Sequence, residues 1–141
     1  MPRRARRRPG RIVSLVSLST GEEPDRVERA LATALNALQR GSVLFVRLAP
    51  APADGLLLGE WPEVAARCNA FGGEFCLGAH VREADDGFSE MKIGVREGDG
   101  EAKAALLPGL LSHMAQHFDF VLLRIGPGLP EPVVAECLVQ T

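Results

Sequence analysis

A chain of 141 residues is long enough for one packed domain with a single core and too short for two. Its 46% hydrophobic and 24% charged content excludes a disordered polypeptide, and with six Phe, one Trp and no Tyr it has few rings to stack on nucleic-acid bases. The net charge of −2 hides an asymmetry: Arg3, Arg4, Arg6, Arg7, Arg8 and Arg11 crowd the start, leaving ten basic residues against eighteen acidic ones beyond them.

Residues 1–11 therefore read as a basic arm or linker, and 12–141 as a single α/β domain. Nucleic-acid or membrane-surface contact, if any, is expected only through the Arg3 to Arg11 arm. The run from Ile12 to Leu18 is interrupted by Ser14 and Ser17, so it reads as a strand rather than a secretory signal. No apolar run approaches the roughly 20 residues that span a bilayer. Three cysteines without CxxC spacing, Cys68, Cys76 and Cys137, argue against a disulfide framework or structural zinc, and a cytoplasmic setting is expected.

In chain order, Arg11 to Leu18 is apolar on both phases of its alternation, as in a strand buried on both faces. Val27, Ala30, Leu31, Ala34, Leu35 and Leu38 then recur at helical spacing, with Thr20 and Glu23 placed as a capping box and Gly41 as the stop. Ser42 to Leu48 is a second strand, ending in Pro50-Ala-Pro52. A strand, a helix and a strand joined by short connections imply parallel pairing with a right-handed crossover.

Leu56 to Phe71 reads as a helix burying Trp61, Val64, Ala65, Cys68 and Phe71. Phe75 to Val81 reads as a short strand, 83–89 as a turn and Met91 to Val95 as a strand. A helix from Glu101 carries Ala105, Leu106, Leu110, Leu111 and Met114 and is bent near Pro108-Gly109. Phe118 to Ile125 is the clearest late strand, and a helix from Glu131 runs to the end of the chain. A doubly wound sheet usually continues with another strand, so a fragment of a longer protein is expected. Of Leu56, Leu57 and Leu58, at least one is a candidate for an exposed apolar contact, with burial under the sheet edge favoured.

The functionally informative stretch is the turn after the first strand. A phosphate-binding loop there needs glycine amides, a Lys for the terminal phosphates and a hydroxyl on magnesium. The segment Ser17-Leu-Ser-Thr-Gly-Glu-Glu-Pro-Asp25, with the helix behind it, resembles the MinD/ParA and bacterial tyrosine-kinase branch of P-loop ATPases, whose kinase-like pattern is G-E-G-K-S/T. On that pattern, in the degenerate loop that runs from Thr20 to Asp25, Gly21 and Glu22 match, while Glu23 replaces the second glycine, Pro24 the lysine and Asp25 the magnesium-binding hydroxyl residue. Three acidic side chains in that turn would repel a triphosphate.

The family resemblance also implies an acidic residue at the end of the second strand, where this chain has Arg47. It implies an Asp late in the last strand as well, where Phe118-Asp119-Phe-Val-Leu-Leu-Arg124 offers Arg124. The resemblance thus implies a three-layer, mostly parallel sheet with helices on both faces, P-loop NTPase-like and Rossmann-like, that has lost the groups for phosphoryl transfer. The expected role is a regulatory or protein-interaction module of a larger bacterial protein, its partner a protein or a neighbouring domain, with no catalytic residues, no cofactor and no metal. A rival expectation is a divergent ATPase or anion-binding domain that holds phosphates with Arg47 and Arg124. A fainter resemblance, through Ala30 to Val46 and Phe118 to Gln140, is to the segment preceding the catalytic domain of neuropathy-target-esterase-like patatin phospholipases. It implies a regulatory segment, since the chain has no G-x-S-x-G elbow.

His113 and His117 share a helix face at the spacing of a metal pair, but without an intervening acid they read as exposed helix-end histidines. Cys76, His80, Asp85 and Asp86 lack the elbow or second His of a nucleophile site and read as structural.

Overall fold

The computed structural model describes residues 10–16, 30–31, 33–34, 42–50, 55–68, 74–83, 88–96 and 98–141. In chain order these form β1 (Arg11–Val16), β2 (Val43–Pro50), β3 (Leu56–Leu57), α1 (Trp61–Cys68), β4 (Arg82–Glu83) and β5 (Ser89–Val95). They continue with α2 (Glu101–Ala104), α3 (Leu107–His117), β6 (Phe120–Ile125) and α4 (Glu131–Val139). Ala30, Leu31, Thr33 and Ala34 are helical, within the stretch where apolar periodicity predicts a helix. Ala30, Leu31 and Ala34 are exposed, however, although that periodicity assigns them to a buried stripe. The rest of the stripe, the capping box and Gly41 lie outside the described residues.

The strands form one sheet of order β1-β6-β2-β5-β3, with β4 paired to the flank of β5. All pairs are parallel except β4 with β5. Parallel neighbours cannot be joined by hairpins, so helices must carry the crossovers, and both faces of the central strands become buried. This accounts for the uniform apolarity of β2 and β6: Val43 to Val46 and Val121 to Leu123 are all buried. One face carries the main core, where Leu44, Val46, Met91, Ile93, Val121 and Leu123 meet Trp61, Leu107, Leu110, Leu111, Met114, Val133 and Cys137 of the helices. The opposite face carries a smaller cluster of Val43, Phe45, Phe88 and Leu122, with Val13 and Phe120 against it.

The amino ends of the strands are tied by backbone. Ser42 N–H donates to Asp119 Oδ2 at 2.8 Å, and the Asp119 and Phe120 amides both donate to Ser42 O at 3.0 Å. Gly10 N–H donates to Ala115 O at 2.7 Å as the chain enters β1. A Cβ on Gly10 would stand 1.9 Å from Phe118 O, so only glycine permits this approach.

Local sequence signals were overridden in the middle of the chain. The helix predicted from Leu56 begins at Trp61 instead, because Leu56 and Leu57 pair with Ile93 and Gly94 at the sheet edge, followed by a 3₁₀ turn at Leu58–Glu60. The Glu60 carboxylate accepts the Leu57 amide at 2.9 Å, fixing that turn. None of the three consecutive leucines is exposed: Leu56 and Leu58 are buried and Leu57 half-buried. The strand predicted over Phe75 to Val81 is an unpaired extended segment with a 3₁₀ turn at Gly78–His80. The predicted bend near Pro108 is a break between α2 and α3, with Pro108 in the first turn of α3, where its missing N–H costs nothing.

The expectation of unpaired cysteines is corrected as well. Cys68 at the end of α1 and Cys76 are joined by a disulfide with Cα atoms 5.5 Å apart, leaving Cys137 as the free thiol. Cysteine count alone gave no view of this, since an odd number says nothing about which two approach. The pairing removes the cysteine argument for a reducing compartment. No helix of the described residues is long and apolar enough to cross a membrane.

Candidate functional site

In an open parallel sheet the carboxyl ends of the strands are where ligands are held. Among the described residues that edge presents cations. Arg47 of β2 and Arg124 of β6 are direct partners across the strand pair, and on the other side of β2 Arg47 is the partner of Lys92 in β5. Partners on adjacent strands project to the same face, about 5 Å apart. Arg124, Arg47 and Lys92 therefore stand abreast on the face of the smaller cluster. Both arginines are half-buried and Lys92 is exposed. The Arg47 guanidinium carbon lies 5.4 Å from the centroid of the Phe45 ring, two residues back on the same face.

The next row toward the amino end is different. Glu90, the partner of Phe45, is buried, and the Arg82 guanidinium on β4 donates to its Oε1, from Nε at 2.8 Å. Among the described residues Glu90 is the one carboxylate near the row. A cavity of about 310 Å³ opens beside it, lined among the described residues by Arg47, Gly55, His80, Arg82, Glu90 and Lys92, with Ala79, Val81 and Met91 completing the wall. Gly55 has φ +108°, and a Cβ there would lie 2.5 Å from Lys92 O, so the cavity floor requires glycine.

Thr20, Gly21, Glu22, Glu23, Pro24 and Asp25, the degenerate P-loop position of the sequence reading, lie outside the described residues, as do Asp85 and Asp86. Asp119 belongs to the amino end of β6, where its bonds to Ser42 are structural and remote from the carboxyl edge. Lys92 and the Arg82–Glu90 pair were missed in the sequence. The available signal was the single lysine inside Met91 to Val95, which marks one phase of an otherwise apolar strand.

The two histidines of α3 are not the exposed pair expected. His113 is 4% exposed, and its Nε2 accepts the Cys76 amide at 3.0 Å. Its ring stacks on Phe75 at 5.5 Å between centroids and lies 5.2 Å from that of Trp61, with His117 at 5.0 Å. Burial, with the charge of His117 second, pushes the His113 pKa down to about 4, so the ring is a neutral core acceptor at pH 7. Among the described residues no group of three or more His, Cys, Asp or Glu side chains could hold a metal ion. Cys76 is in the disulfide, and burial, with Glu136 second, raises the Cys137 thiol to about 11. Neither sulfur is an available nucleophile at neutral pH.

No family model and no curated protein matches this chain. Solved structures do. A plasmid partition protein from Borrelia burgdorferi superposes with a TM-score of 0.57 at 15% identity over 95% of this chain and 63% of its own. The kinase domain of the Escherichia coli tyrosine kinase ETK does so with a TM-score of 0.58 at 18% identity over 92% of this chain and 52% of its own. This chain thus spans about half to three-fifths of those structures. With the parallel topology described above, these likenesses give the fold alone, a mostly parallel Rossmann-like sheet with helices, shared with that partition protein and that kinase domain.

Proposed function

We propose that the chain is a P-loop NTPase-like domain without catalytic turnover that serves as a regulatory or protein-interaction module of a larger protein. One observation carries this reading. Phosphoryl transfer needs a carboxylate to hold magnesium near the phosphates. Strands β1, β2 and β6 contain no Asp or Glu, and at their carboxyl edge β2 and β6 set Arg47 against Arg124. Two guanidinium groups at that edge repel a divalent cation. The sequence of the turn at 20–25 supports the same reading, with Pro24 where a lysine is required. Titration calorimetry with ATP and magnesium is expected to show no binding, and labelled ATP no phosphate release. Saturable turnover would end the proposal.

A second reading is favoured by the same register. Two arginines side by side on parallel strands form a fork that fits one anion, so the domain could hold phosphate without hydrolysing it. Its mark is a salt-sensitive anion affinity that disappears in the Arg47→Ala, Arg124→Ala double variant.

A further inference from the structure

A second, smaller cavity at the sheet holds opposite charges apart. It has a volume of about 210 Å³ and is lined among the described residues by Leu57, Gly59, Glu60, Arg96, Asp99 and Lys103. Strands β3 and β5 are parallel neighbours, so the turns that leave them, at 58–60 and 96–100, lie at one carboxyl edge, where open parallel sheets hold ligands. Each turn fixes a carboxylate. The Leu57 amide donates to Glu60 Oε1 and the Arg96 amide to Asp99 Oδ2, both at 2.9 Å. Each carboxylate keeps a second oxygen that can accept. Asp99 is 8% exposed, yet neither it nor Glu60 forms an ion pair with Arg96 or Lys103, although all four line one cavity. A buried carboxylate is ordinarily paired with a cation, and leaving it without one costs free energy.

We propose that this cavity binds a small zwitterion, an α-amino acid with a short side chain, its ammonium between Glu60 and Asp99 and its carboxylate on Arg96 and Lys103. Three features specify that class. Two cations and two carboxylates that do not pair with each other make a bipolar lining, and a ligand carrying both charges completes both halves with charge-assisted hydrogen bonds. A lone anion meets the pinned carboxylates and a lone cation meets Arg96 and Lys103, so a ligand with one charge loses on one side what it gains on the other. The volume lies below the range of about 300 to 1,000 Å³ typical of drug-sized ligands, which limits the body to a few heavy atoms. Leu57, half-buried, is the one apolar side chain among the described lining residues and suits a short aliphatic group. Gly59 leaves space for the Lys103 head, since a Cβ there would stand 3.0 Å from Nζ.

The site uses neither Arg47, Arg124 nor the turn at 20–25, so its failure leaves the non-catalytic reading standing, and the reverse holds as well. Glycine and L-alanine are titrated into the full chain by calorimetry beside propionate and ethylamine, which carry one charge each, at matched ionic strength. Amide chemical shifts locate the site. The two amino acids are expected to bind saturably, with shifts centred on Leu57 to Glu60 and Asp99 to Lys103. Each singly charged compound should bind about tenfold more weakly or worse, the loss of one charge-assisted contact. Lys103 and Glu60 are exposed, and Glu60→Gln keeps an acceptor for the Leu57 amide. Lys103→Gln and Glu60→Gln should therefore fold normally and each weaken binding by about tenfold. No saturable binding to the folded wild type, binding unchanged in either variant, or propionate binding as tightly as L-alanine overturns the proposal. Shifts centred on Ala79 to Arg82 or on Thr20 to Asp25 overturn it too, because they seat the ligand elsewhere.

Discussion

His113 shows how far one residue's environment departs from its sequence context. Read along the helix it pairs with His117 at the helix end; in the fold its ring lies against Trp61, Phe75 and His117 and accepts the Cys76 amide. A histidine whose folded pKa lies below its unfolded value of about 6.5 takes up a proton more readily in the unfolded chain. Stability is then intact above pH 6.5 and falls as pH drops from there toward about 4, by an amount of order 3 kcal/mol at most. Urea unfolding at stepped pH is expected to show this slope. His113→Gln, which keeps an acceptor for the Cys76 amide, should flatten it while retaining most stability at pH 7.5. Trp61, 7% exposed and the sole tryptophan, gives the fluorescence signal. Gly10 makes a second test at this scale. Gly10→Ala forces a Cβ into the Phe118 carbonyl and is expected to cost about 2 kcal/mol or more, read as a lower unfolding midpoint.

At the scale of elements, α1 is the piece most dependent on a covalent tie. It has eight residues, a buried Trp61 at its start and only half-buried Val64 and Ala65 behind it. The Cys68–Cys76 bond closes a short loop onto the segment that feeds Phe75 into the histidine cluster. In the chain-entropy account a loop of this length contributes about 2.5 kcal/mol. Reduction, or the Cys68→Ser, Cys76→Ser variant, is therefore expected to lower the melting temperature by several degrees and to weaken the Trp61 environment first. This region was the least legible from sequence. The strands β1, β2, β5 and β6 were visible as short apolar runs because burial on both faces leaves no other pattern. Residues 56–83 were not, since two-residue strands, 3₁₀ turns and a disulfide are fixed by distant partners such as Ile93, Gly94 and His113 rather than by their own periodicity. The candidate site was half legible. Arg47 and Arg124 stood out as charges ending apolar runs, whereas Lys92 and the Arg82–Glu90 pair emerged only once β5 had been set beside β2.

At the scale of the whole molecule, the topology decides which parts depend on which. Strand β2 lies in the middle of the order, bonded on both sides, while β1 ends the order and has β6 as its one neighbour among the described strands. Ser14 of β1 also shares a hydrogen bond with Thr141, so the last residue of the chain rests on the strand nearest its start. An outermost ribbon that leans on one companion should open in small excursions that leave the middle shut. Under native-state amide exchange, the β1 amides paired with β6 should trade deuterium sooner than those of Val43 to Leu48, which exchange only when the whole protein unfolds. Clipping Thr141 should hasten the first group and leave the second alone. The domain is thus built to fray from its amino-terminal margin, while the strand bearing Arg47 is the last to let go.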